Sequence, residues 1–187
     1  VATTSAALNT AITAGHTTIG LAAGDYKMPV GTDVNLQGKT LTIVGTKDVV
    51  IDASAIDARD QFVTGATLSF EGVTLNFGKN IYMGFANCSS LTYKDCDING
   101  LQFLYGGPAK FENCKFNSNG AEHSVWTYGS SEVSFDGCEF TYGDRCVNVY
   151  VDNGTGSVDV DFNNCKFSTD NAASAGAIEI NASAFPL

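Results

Sequence analysis

The sequence predicts an all-β solenoid in which short parallel strands wind into a three-faced coil closed at its N-terminal end by one helix. Three observations carry this expectation. An eight-residue pattern occurs five times, at 68–75, 91–98, 109–116, 133–140 and 160–167. The copies recur at roughly two dozen residues, which is the signature of stacked structural repeats. The outward residue near the end of each copy runs Thr74, Asp97, Lys115, Glu139, Lys166. Stacking the copies therefore sets opposite charges side by side, each pair contributing roughly a few tenths of a kcal/mol.

Each copy reads as two short strands joined by a two-residue corner. The corner's second residue is Gly72, Asp95, Asn113, Gly137 or Asn164. Gly, Asn and Asp are the residue types that tolerate positive φ, so the corner is a left-handed bend. The first, third, sixth and eighth residues of the pattern are apolar and define the interior. A third strand follows each copy after a variable loop, at 81–85, 101–105, 124–128, 147–151 and 177–181. Equivalent strands of successive turns then stack in parallel, about 4.8 Å apart.

The N-terminal part fits the same plan. Residues 3–14 read as an amphipathic helix, with Leu8, Ala11 and Ile12 on one face. Thr3, Thr4 or Ser5 supplies the N-cap, and Gly15 follows the end. Strands are expected at 17–21, 26–30, 34–44 and 49–52, with a turn at 23–26 and a loop over 53–61. Ile178 to Asn181 read as the last strand, and 182–187 as a brief tail. That predicts an open C-terminal end, covered by further chain of a longer surface protein or by a partner.

Bulk properties narrow the partners. The 187 residues suit one domain, with an apolar share of 44% for a core. The net charge is −10, with ten Lys plus Arg. Nucleic acid is excluded as a partner, because its phosphates demand a basic surface. The same field disfavours anionic polymers such as polyuronates. No stretch is long and apolar enough for a membrane helix, so no membrane insertion is expected. Four of the six Cys (Cys96, Cys114, Cys138, Cys165) share one inward place in the repeat, which suits buried free thiols acting as small hydrophobes better than disulfides or a metal site. Cys88 and Cys146 fall outside that column. No cofactor and no metal is expected; Asp152, Asn153, Asp159 and Asp161 lack the spacing of a calcium loop.

The repeated rung, with its aromatic third and Cys sixth residue, resembles the right-handed single-stranded parallel β-helix of the pectate-lyase-like superfamily. The opening Leu8-x-x-Ala11-Ile12 helix, followed by Ile19-x-Leu21-x-x-Gly24-x-Tyr26, adds to the resemblance. It implies a single domain over 1–187, with the helix capping the open end of the core where bare strand edges would invite other chains. Enzymes of that superfamily place their sites on one outer face. The lyases need calcium-binding carboxylates and an Arg or Lys base. Here Arg59 and Arg145 are the two arginines, and neither stands in a recognisable lyase motif.

Two groups of residues hold candidate chemistry. Glu122-His123 and Asp144-Arg145 precede third strands of consecutive rungs, so they are expected to be neighbours. Together they supply a general acid and base, or else a surface ion-pair cluster. Asp57 with Asp60 is a second carboxylate pair, and His16 reads as a lone surface residue. The sharper expectation concerns the third strands. With Val125 and Thr127 inward, Trp126 and Tyr128 point out; Asn148 and Tyr150 follow in the next rung, and Glu179 and Asn181 after it. Gln102 and Leu104, and before them Tyr82, are placed on the same outer face. Such a strip of aromatics and amides suits sugar rings or a protein partner; the competing reading puts Trp126 in the core.

The functional expectation is an extracellular, adhesin-like binding module, secreted or at the cell surface. It is expected to be monomeric and to present a solenoid face to a glycan or a surface protein. The alternatives are a polysaccharide hydrolase or lyase using Glu122, His123, Asp144 and Arg145, and a structural stalk or tail-spike segment.

Overall fold

The structure is a computed structural model that describes residues 1–31, 34–56, 61–79, 83–151 and 157–181. It is an all-β parallel solenoid of about six turns, preceded by one helix. Every strand pairing among the described residues is parallel and joins one turn to the next. Among those residues no helix is long and apolar enough to cross a membrane.

The helix α1 (Ser5–Thr13) starts where Thr4 caps it, the threonine side chain accepting from the Ala7 amide at 3.1 Å. It ends where Gly15 takes a φ of +82° and donates to the Ile12 carbonyl. Leu8 and Ile12 are buried and close the core at this end. The strand expected at 34–44 forms only over Thr40–Val44, because Gly38 turns the chain at a φ of +66°. The turn expected at 23–26 is instead the start of the strand Gly24–Lys27, held in register by Val49–Asp52 of the next coil.

All five corners are left-handed: φ is +72° at Gly72, +53° at Asp95, +52° at Asn113, +64° at Gly137 and +53° at Asn164. The inward positions follow the pattern. Leu68, Phe70, Val73 and Leu75 are buried, as are Val133, Phe135, Cys138 and Phe140. Rings of successive coils stack face to face: Phe70 on Tyr93 at 5.2 Å, Tyr93 on Phe111 at 4.8 Å, Phe111 on Phe135 at 4.9 Å and Phe135 on Phe162 at 5.0 Å. Beyond the corner, Phe116, Phe140 and Phe167 form a second stack, at 4.5 and 4.6 Å. Such pairs add specific geometry to the apolar area they bury.

The cysteines are free. Cys96, Cys114, Cys138 and Cys165 form the expected column, and each thiol points to the carbonyl of the aromatic residue one coil earlier: Phe70, Tyr93, Phe111 and Phe135, at 3.2–3.5 Å. Cys88 makes the same kind of contact with Val63 at 3.6 Å. The charged column is in the expected register, Thr74, Asp97, Lys115, Glu139 and Lys166 being successive partners. Its closest ion pair nonetheless leaves the column: Asp97 meets Lys47 at 2.8 Å.

Two third strands do not end where the sequence suggests. They continue into the first strand of the next copy, giving Gln102–Glu112 and Val125–Asp136. The register slips between Tyr105 and Gly107, where Gly106 and Gly107 both have positive φ, so the strand bends without breaking. First and third strands thus merge into one eleven-stranded sheet facing a seven-stranded one. At the C-terminal end the inward Ile178 and Ile180 are 43% and 72% exposed; residues 182–187 lie outside the described residues.

Candidate functional site

The outer side of the third strands carries two columns of side chains. Val125 pairs with Val147 and Val147 with Ile178, all inward. The alternation of a strand then turns their neighbours outward. One outward column is Phe103, Trp126, Asn148, Glu179. The other is Tyr105, Tyr128, Tyr150, Asn181, with Tyr105 in register with Tyr128 and Tyr150 with Asn181.

This register corrects the placing of Gln102 and Leu104. Gln102 aligns with Val125 and Leu104 with Thr127, so both point inward and are buried. Gln102 has a reason to be there. Its side-chain amide donates to the hydroxyl of Tyr93, the single phenol in the interior ring stack. Phe103 and Tyr105 take the outward places instead. The pairs Phe103-x-Tyr105 and Trp126-x-Tyr128 were the available signal, since matching them sets the frame that a variable loop hides. Tyr82 lies outside the described residues, as do Asp57, Arg59, Asp60, Asp152 and Asn153.

The aromatic strip differs in kind from a row of open ring faces. Tyr128 stacks on Tyr105 at 4.9 Å and on Tyr150 at 5.0 Å, so both its faces are used. The ladder presents ring edges to the outside. Trp126 is half-buried rather than core. It lies tilted against Phe103 and Tyr150, each at 6.2 Å, with the His123 ring edge-on at 5.4 Å.

A polar cluster borders the ladder. His123 is only 2% exposed, and its Nε2 lies 2.9 Å from Glu179 Oε2. Arg145 Nη1 donates to Glu122 Oε1 at 2.7 Å; Asp144 lies 3.8 Å and Glu179 3.7 Å from the same guanidinium. Asn148, 2% exposed, turns its Nδ2 to Glu179 at 3.5 Å. The structure thus brings Glu122, His123, Asp144 and Arg145 together, and beside them Trp126, Tyr128, Asn148 and Tyr150. Glu179 links the two sets, reaching His123 from two coils away. His16 is exposed and apart from them, near the helix.

Two buried polar atoms here have no hydrogen-bond partner among the described residues: Trp126 Nε1 and Asn148 Oδ1. Such atoms are costly when left unpaired. A separate groove of about 420 Å³ lies on the first-strand side, lined by Thr92, Lys110, Glu132, Ser134, Asp159 and Asp161 among others. Its one lysine is turned to Glu112 at 2.5 Å. That groove has hydroxyls and carboxylates but no aromatic surface, whereas the third-strand face combines rings, amides and charges.

No family model, no curated protein and no solved structure matches the chain. The geometry therefore carries the functional reading alone.

Proposed function

We propose that this chain is a non-catalytic, extracellular binding module, adhesin-like in role and built on a pectate-lyase-like β-helix, whose third-strand face holds a carbohydrate. One observation carries the reading: the ring ladder of Tyr105, Tyr128 and Tyr150 runs beside Trp126, Asn148 and Glu179 on a single outer surface. Sugars present apolar C–H edges and hydroxyls together. A surface that alternates ring edges with amide and carboxylate groups complements both. A solenoid offers this as an extended face rather than a deep pocket.

The polar cluster supports binding over turnover. Glu122 and Asp144 both face the Arg145 guanidinium, and the His123 ring nitrogen is occupied by Glu179. General acid–base chemistry needs a group free to take or give a proton, whereas each of these is engaged with a neighbouring basic or acidic side chain.

The test is a glycan array run beside a hydrolysis screen on the same polysaccharides. Binding without cleavage is expected. Trp126→Ala should weaken that binding by about 2 kcal/mol, the scale of an aromatic hot spot, while the melting temperature holds. Cleavage that disappears in Glu122→Gln or Asp144→Asn would establish an enzyme and sink the proposal.

A further inference from the structure

We infer that the glycan taken by the third-strand face carries free amino groups, as a glucosamine-type oligosaccharide does; this rests on the carbohydrate reading above. The first ground is charge. Arg145 faces the carboxylates of Glu122, Asp144 and Glu179 at 2.7, 3.8 and 3.7 Å, and His123 Nε2 lies 2.9 Å from Glu179, so among the described residues three carboxylates meet two basic side chains. Among the described residues no lysine is paired with these three carboxylates, and the chain as a whole carries −10. The local field therefore favours a cation and repels a uronic acid.

The second ground is independent of charge. Asn148 is 2% exposed, and its Oδ1, an acceptor, has no donor among the described residues. Beside it in register, Trp126 Nε1 is a buried donor with no acceptor. An ammonium group donates to an amide oxygen and to carboxylates. A hydroxyl accepts from an indole N–H. A 2-amino sugar carries both groups on adjacent carbons, so it matches both deficits at once. A neutral sugar's hydroxyls can fill both places too, but they lack the positive charge that the three carboxylates favour. Arg145 is the group the ammonium displaces: its side chain is 34% exposed and shares Glu179 with Asn148.

The test is titration calorimetry with a fully deacetylated chito-oligosaccharide, its N-acetylated counterpart and an oligogalacturonate, at a pH where the amines are protonated. The deacetylated oligomer should bind at least about tenfold tighter than the acetylated one, and added salt should weaken it. Glu179→Gln should remove that preference, and so should Glu122→Gln as a second variant with an exposed, replaceable carboxylate. Glu132→Gln removes the same charge from the other groove and should leave binding unchanged. Equal affinity for the acetylated and deacetylated forms overturns the inference and leaves the carbohydrate reading intact. An equal loss in Glu132→Gln overturns it too, since the oligomer is then attracted to net charge alone. Failure to bind any of the three sugars, with an empty glycan array, overturns the carbohydrate reading itself.

Discussion

Tyr93 places a hydroxyl in a column of phenyl rings, and the interior answers it with Gln102. Both are fully buried, and Gln102 donates to the Tyr93 oxygen. Burial lifts the phenol well above its usual pKa, so it stays neutral and available as a partner. Gln102→Leu should then cost about 1–3 kcal/mol by leaving the hydroxyl unpaired. Tyr93→Phe should cost less than the sum of parts suggests once combined with it: the double variant Tyr93→Phe/Gln102→Leu should recover most of the loss. Denaturant melts of the four proteins close this cycle, and strict additivity would count against the pairing. Cys146 makes a second prediction at this scale. Burial pushes its thiol from 9.0 to about 12. The native state keeps a proton that the unfolded chain releases, so stability is intact below pH 9 and falls as pH rises toward 12. The slope is at most roughly 1.4 kcal/mol per pH unit for one thiol. Cys146→Ala should flatten the alkaline limb of a stability–pH curve, and an unchanged slope would contradict the assignment.

The corner is the element that sets each rung. Asp95, Asn113 and Asn164 hold positive φ with a side chain attached, whereas Gly72 does so where a Cβ would lie 2.7 Å from the Gly45 carbonyl oxygen. Gly72→Ala should therefore lose more stability than Asp95→Ala. The left-handed penalty alone is about 1–2 kcal/mol, and the backbone clash adds to it. Thermal melts that rank the two variants the other way would show that the corner tolerates a side chain at both places. The corners were legible in the sequence because their cause is local: one residue type at one place in eight residues. The same holds for the Cys column and the interior rings. The third strands were harder. Variable loops hide their frame, so the sequence alternation points Gln102 and Leu104 outward, whereas the pairing of Gln102 with Val125 turns both in. The bend at Gly106 and Gly107 that fuses two strands left no periodic signal either.

Over the whole molecule, stacking determines which distant residues meet. Each coil contacts its neighbours, so stability adds from coil to coil. Glu122, His123, Asp144 and Arg145 were legible as neighbours because they hold equivalent places in consecutive coils. Glu179 was legible as an outward residue but not as the partner of His123, 56 positions away, since that contact spans two coils and depends on side-chain reach. Of the ring ladder, Tyr128 and Tyr150 are legible in the sequence as outward aromatics; Tyr105, and the use of both Tyr128 faces, are not. Whether the third-strand face is the binding surface is decided by amide chemical-shift mapping during titration with the strongest ligand from the glycan array. Perturbations are expected over 122–128, 144–150 and 176–181, with Ser90–Lys94 and Asp159–Asn163 unmoved. Perturbations centred on Thr92, Lys110, Ser134 and Asp161 would place the site in the first-strand groove and rule out the third-strand face.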